Sequence, residues 1–233
     1  MKTTATLLMR TVPDGKTIFS LEYVVRSQTS NAFRNVVMTS DHSFLIAPAA
    51  DKGSRDCVII YNGKTGMLVS KIPIKLPGFK DIQCITPMPN KAHWVGVIGS
   101  DKGIILDINK KKIVRTIPKW SGNISKDGKY TLYAPSRGGL ELLELKKGTT
   151  VKTYIPKVAE GVFTVISMFN RTDEYVLYYH SGRKTIRVFR SSDCEMIANY
   201  RVQAELSAVD STYDGKSIVL GTVDGCVSVL VIA

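Results

Sequence analysis

The chain has 233 residues, 44% hydrophobic and 22% charged, which suits a buried core rather than a disordered chain. Its formal net charge is +12, from 32 basic and 20 acidic residues, and its mean hydropathy is +0.01. No run approaches the roughly 18 apolar residues of a membrane helix and the amino terminus lacks a signal-peptide pattern, which excludes a helical membrane protein, a collagen and a disulfide miniprotein.

From the amino terminus, β-rich stretches at residues 5–10 and 17–26 flank the turn Pro13-Asp14-Gly15-Lys16. The polar turn Thr39-Ser40-Asp41-His42-Ser43 then introduces an apolar hairpin from Ile46 to Tyr61. It is followed by Asn62-Gly63-Lys64-Thr65-Gly66 and a further strand, Met67 to Ile72. The same order recurs after Pro89-Asn90-Lys91-Ala92: a hairpin from Val95 to Leu106 through Gly99-Ser100-Asp101-Lys102-Gly103, then a strand from Ile113 to Ile117. It recurs after Ser125-Lys126-Asp127-Gly128-Lys129, with a hairpin from Thr131 to Leu143 through Ser136-Arg137-Gly138-Gly139 and a strand from Val151 to Ile155. After Asn170-Arg171-Thr172-Asp173 the hairpin runs from Val176 to Phe189 and the next strand from Met196 to Tyr200. A last hairpin, Ile218 to Leu230, follows Tyr213-Asp214-Gly215-Lys216. Gly, Asp and Asn at these turns supply the backbone conformations that tight strand connections need. Alternation such as Ile186-Arg187-Val188-Phe189 has the two-residue period of strands, and helical periodicity is sustained nowhere.

The first apolar residue after each hairpin turn is Val58, Ile104, Leu140, Ile186 and Val227, at steps of 46, 36, 46 and 41 residues. Thr17 holds the matching place 41 residues before Val58. Four short strands repeating every ~40–45 residues predict an all-β propeller of about five to six four-stranded blades. The blades fall at about 1–30 (partial), 31–78, 79–120, 121–160, 161–203 and 204–233 (partial), in one propeller region covering 1–233. The incomplete first and last units leave two alternatives, a ring that closes irregularly at five or six blades or a piece of a larger propeller, and the second is the leading expectation.

Gly99-Ser100-Asp101-Lys102-Gly103-Ile104-Ile105-Leu106-Asp107 resembles the WD40 hairpin, with Leu106-Asp107 in place of the closing Trp-Asp. Val223-Asp224-Gly225-Cys226-Val227-Ser228-Val229-Leu230 is similar, and Tyr61-Asn62, Leu143-Glu144 and Phe189-Arg190 stand at the equivalent pair. The family's Gly-His dipeptide is missing from every repeat. The resemblance therefore implies a WD40-type propeller whose buried Asp–His–Ser/Thr network is incomplete, leaving the turns to local bonding. The texture is also similar to the carboxyl-terminal WD region of NACHT-and-WD-repeat regulators.

Chemistry-bearing motifs are sparse. Gly63-Lys64-Thr65-Gly66 lacks the glycine-rich loop of a phosphate cradle, and no G-x-S-x-G seats a nucleophile. His42, His93 and His180 have no metal-ligand spacing and read as turn histidines, so no catalytic, cofactor or metal site is expected. Four cysteines, at 57, 84, 194 and 226, form no C-x-x-C pair and read as reduced, mostly buried thiols of a cytoplasmic protein. Trp94 belongs to a core strand, Tyr178 and Tyr179 face opposite sides of one sheet, and Trp120 is a candidate exposed contact between blades.

Charge supplies the remaining signal. Residues 101–150 carry 11 basic and 5 acidic side chains, against 2 and 4 in residues 201–233. In the repeat register, Lys110, Lys111, Lys112, Lys146 and Lys147 occupy third-to-fourth-strand turns, with Lys126 and Lys129 expected on the same face. The leading expectation is a noncatalytic protein-interaction scaffold with an acidic protein partner. The alternatives are a propeller that binds RNA or anionic lipid through its basic face, and a ligand-binding or enzymatic propeller.

Overall fold

The computed structural model describes the chain apart from residues 1, 12–13, 27–35, 51–55, 78, 80–81, 100–101, 136–137, 158–162 and 233, and the backbone alone at 2–7, 22–26, 50 and 56. Asp101, Ser136 and Arg137, expected in hairpin turns, lie outside the described residues. The chain packs as two compact units, Met1–Pro118 and Lys119–Ala233.

The first unit holds three antiparallel sheets. β1 (Lys2–Arg10) pairs with β2 (Thr17–Arg26). The second sheet orders β3 (Val37–Met38), β4 (Phe44–Ala50), β5 (Asp56–Asn62) and β6 (Leu68–Pro73) side by side. The third does the same with β7 (Cys84–Pro87), β8 (Trp94–Ile98), β9 (Gly103–Asp107) and β10 (Lys112–Ile117). Strands in the middle of a sheet are covered on both faces, so they read as continuous apolar runs. Val58, Ile60, Ile104 and Leu106 on β5 and β9 belong to one buried cluster with Ile46, Val95 and Val97.

The second unit is built alike. β11 (Tyr130–Tyr133), β12 (Leu140–Glu144) and β13 (Thr149–Ile155) form one sheet, and β14 (Val165–Phe169), β15 (Tyr175–His180), β16 (Thr185–Arg190) and β17 (Met196–Arg201) the next. β18 (Leu206–Ser211), β19 (Ser217–Thr222) and β20 (Val227–Val231) complete it. Tyr178 and Tyr179 do face opposite ways: Tyr178 packs with Leu142 and Phe169, Tyr179 with Leu206 and Ile218. Among the described residues the helical content is a 3-10 turn at Ser181–Arg183, and no helix is long and apolar enough to cross a membrane.

Among the described residues three sheets have four strands, fewer than the repeat predicts. Ahead of β11 the expected first strand is reduced to a single bridge, Ile124 to Thr131. The Ser121 and Gly122 amides still donate to the Leu132 carbonyl, at 3.1 and 3.0 Å, and side chains take the remaining bonds. The Trp120 indole donates to the Gly122 carbonyl at 2.8 Å, Thr131 Oγ1 donates to the carbonyls of Gly122 and Asn123, and the Ala134 amide donates to Ser121 Oγ. Trp120 is therefore 2% exposed, which corrects its expected role as an exposed contact. Its large apolar ring is buried because its single polar atom finds a carbonyl two residues away.

The last two strands of each sheet from β5 to β17 pair with a shift of register. β5–β6, β9–β10 and β16–β17 each leave one extra residue on the outer strand, Val69, Val114 and Ile197, and β12–β13 leaves two, Val151 and Tyr154. A bulge of this kind bends the edge strand and re-aims the side chain it carries.

Candidate functional site

The turns that enter β4, β11 and β19 share one hydrogen-bond plan. A Ser or Thr hydroxyl donates to an aspartate two residues on: Thr39 to Asp41 at 2.6 Å, Ser125 to Asp127 at 2.7 Å and Thr212 to Asp214 at 2.6 Å. The same hydroxyl oxygen accepts the amide of the residue five positions on, Phe44, Tyr130 or Ser217, at 2.9–3.1 Å. Before β15, Asn170 takes over the accepting role toward the Tyr175 amide at 3.0 Å. The hydroxyl of Thr39, followed by the hydroxyl and amide of Ser43, holds the Asp41 carboxyl down at about 2. Asp127 is also held low; burial opposes its ionisation, and the Lys129 amide and Ser125 hydroxyl outweigh it. These bonds rigidify the turns locally, as expected where the wider WD40 network is incomplete.

Asp107 does the equivalent work between β9 and β10. Its buried carboxylate accepts the Lys110 amide at 2.9 Å and the Trp94 indole N–H at 3.1 Å. Burial works against the charge, but these donors hold its pKa below the ordinary range. Trp94 is thus half-buried rather than a plain core residue, with Lys91 Nζ 3.5 Å from its ring centroid.

The expected lysines all reach solvent. Lys110, Lys111 and Lys112 surround the β9–β10 turn of the first unit. In the second unit, the Leu145 amide donates to the Lys129 carbonyl at 2.8 Å, drawing the turn that carries Lys146 and Lys147 against the one that carries Lys126 and Lys129. This cluster is not purely basic, because Lys129 pairs with Asp127 at 3.3 Å and Lys147 with Glu144 at 3.2 Å. His180 departs from its reading as a turn histidine. It is buried beside Phe163, with ring centroids 4.7 Å apart, and its Nδ1 accepts the Arg183 amide at 3.3 Å. Cys57 is buried, Cys84 and Cys194 are half-buried, and Cys226 is exposed.

Against the same end of the second unit lies a cavity of about 600 Å³, which sequence reading missed. Leu142 of β12, Val151 and Tyr154 of β13, and Phe169 of β14 give it an apolar floor, and Asp127, Asp173, Glu174 and Arg190 stand among its polar groups. Burial pushes the Asp173 carboxyl up; a bond from the Lys126 amide opposes this, and the Asp127 charge adds to it. Burial likewise raises the Tyr154 phenol and the Cys194 thiol.

Strand order, turn chemistry and repeat length all describe propeller blades, and the sequence matches the family described as NWD2 C-terminal beta-propeller over residues 1–232. The chain belongs to this family. No curated protein matches it. As a member of the NWD2 C-terminal β-propeller family, the chain is all-β, and its sheets are blades whose turns carry the variable chemistry. The resemblance to the carboxyl-terminal region of NACHT-and-WD-repeat regulators, seen first in the repeats alone, is in line with this membership.

Proposed function

We propose that this propeller is a noncatalytic protein-interaction module, and that the lysine-bearing turns capture an acidic partner protein. The reading is supported chiefly by one juxtaposition: the Leu145–Lys129 hydrogen bond, which gathers two lysine turns at one end of a rigid sheet. Turns fixed by Ser/Thr–Asp bonds lose little conformational freedom on binding, so a partner meets a surface already ordered. Exposed lysines steer an acidic surface into encounter more than they add to final affinity. Changing Lys110, Lys111, Lys146 and Lys147 to Glu should slow association with the partner at least about tenfold while leaving the melting temperature nearly unchanged. Undiminished association of that variant would rule the lysine turns out.

The net charge of +12 favours a second reading, binding to RNA or anionic lipid. Immobilised RNA and anionic vesicles at two salt concentrations separate the two, since phosphate-driven binding falls steeply with salt. The cysteine pattern supports placing the module in the cytoplasm.

A further inference from the structure

The cavity of the second unit is floored with apolar side chains, yet the charge around it is unevenly satisfied. Its two cations are already engaged. Lys152 Nζ donates to the carbonyls of Ser191, at 3.0 Å, and Ser192, and Arg190 pairs with Asp193 at 2.9 Å and Glu195 at 2.5 Å. Asp127 has Lys129 at 3.3 Å. Asp173 and Glu174 differ: they take neutral donors, the Lys126 amide and the Thr172 hydroxyl at 3.1 Å, and no cation pairs with either among the described residues. In a chain of net charge +12, two carboxylates outside ion-pair distance of any described cation, with only the Lys126 charge acting on Asp173 from farther off, are a local exception at the wall of an apolar cavity. The buried Ser191 hydroxyl, which has no hydrogen-bond partner, belongs to the same lining.

The shape of the floor adds to this. Val151 and Tyr154 are the two extra residues of the β12–β13 pairing, and through them the outer strand contributes to the lining. Leu142, Val151 and Tyr154 would accept an aliphatic stem, and Asp173 and Glu174 a positive tip. A lysine or arginine side chain combines the two along one chain of atoms.

We propose that this cavity binds an arginine or lysine side chain projecting from a partner protein, its stem on Leu142, Val151 and Tyr154 and its charged head at Asp173 and Glu174. The assignment rests on the interaction-module reading and deepens it. Lysines on the turns and carboxylates at the cavity wall make this end bipolar, so the complementary surface is acidic with one basic residue standing out of it. Such a pattern rejects both uniformly acidic and uniformly basic competitors.

A library of random short peptides selected on the full chain, with counter-selection on Val151→Trp to fill the cavity, supplies the probe. The strongest selected peptide is then titrated by fluorescence anisotropy against the wild type, Val151→Trp and Asp173→Asn/Glu174→Gln. Asn at 173 tolerates the left-handed backbone there (φ 63°) and keeps an acceptor for the Lys126 amide, so the double variant removes charge with little disturbance. Selected peptides should carry an Arg or Lys, and replacing it by citrulline or norleucine should weaken binding at least about tenfold, as should either protein variant. Circular dichroism confirms that each variant is folded. Peptides that bind the cavity without a cation, or that bind the double variant as tightly as the wild type, overturn the assignment but leave the interaction reading standing. Failure to enrich any peptide also overturns it, and the lysine-turn variant then tests the wider reading separately.

Discussion

The turn between the third and fourth strands of a blade contains a position whose backbone, not its side chain, sets the requirement. Gly66, Lys111, Gly148 and Cys194 each stand four residues after Asn62, Asp107, Glu144 and Arg190, and all four are left-handed, with φ of 71°, 53°, 69° and 66°. Two of the four blades use Gly there and one uses Lys. A side chain in this conformation costs roughly 1–2 kcal/mol, and Gly gives back roughly 0.5–1 kcal/mol of that through the greater freedom of the unfolded chain. Lys111→Gly should therefore stabilise the first unit by about 0.5–1 kcal/mol. In a chain of this size that amounts to a rise of about 1–4 °C in melting temperature. The exposed lysine makes no ion pair among the described residues, so losing its charge changes little. Gly148→Ala should shift the second unit by a similar amount in the opposite direction. Cys194→Gly should gain nothing, because Cys194 also packs against the cluster containing Phe169 and Phe189. Scanning calorimetry with urea titration measures all three. A lower melting temperature for Lys111→Gly would refute the claim that one turn geometry repeats from blade to blade.

Asp107→Ala should cost about 1–3 kcal/mol by stranding the Lys110 amide and Trp94 indole, and Asp107→Asn distinctly less; urea midpoints and Trp fluorescence would report both. Acid should weaken the fold as the turn aspartates protonate. Asp41, at about 2, is depressed below its unfolded value, so its contribution is complete above about pH 4 and is lost as pH falls toward 2, which urea midpoints across that range would follow. Asp173 is shifted the other way and contributes with opposite sign, so Asp173→Asn should not reduce stability at neutral pH. Val227, Val229 and Val231 are 72%, 59% and 73% exposed on β20, which pairs with β19 alone among the described strands; Val229→Lys should reduce self-association in analytical ultracentrifugation.

Strands and turns were legible because each depends on a few neighbouring residues. The expected strand from Ile113 to Ile117 is observed as Lys112–Ile117, and that from Met196 to Tyr200 as Met196–Arg201. What the sequence concealed depends on the folded path of the chain, whether that path turns back within two residues or brings distant segments together. Trp120 next to Pro118-Lys119 looked like a surface residue, and only the folded path to Gly122 gives its indole a partner inside. His180 was misread for the same reason, since Phe163 closes over it from before β14. The cavity could not be read at all, because its floor comes from β12, β13 and β14 and its carboxylates from two separate turns. One signal was available and unused: Thr39, Ser125 and Thr212 each precede an aspartate by two residues.

That signal explains how weak repeats still specify firm turns. Each Ser/Thr–x–Asp unit satisfies its own amides within six residues, so a blade does not need the Gly-His network of regular WD repeats to fix its ends. Freed from that network, the residues between hydroxyl and strand can vary: Ser40-Asp41-His42 in one blade, Lys126-Asp127-Gly128 in another, Tyr213-Asp214-Gly215 in a third. The bulged outer strands are free in the same way, since Val69, Val114, Val151 and Ile197 lie outside the ladder register. In the second unit the two freedoms meet, where the Asp127 turn and the Val151 bulge contribute to one cavity. A site can therefore arise there without disturbing the apolar strands that hold the blades together, because neither element carries the core.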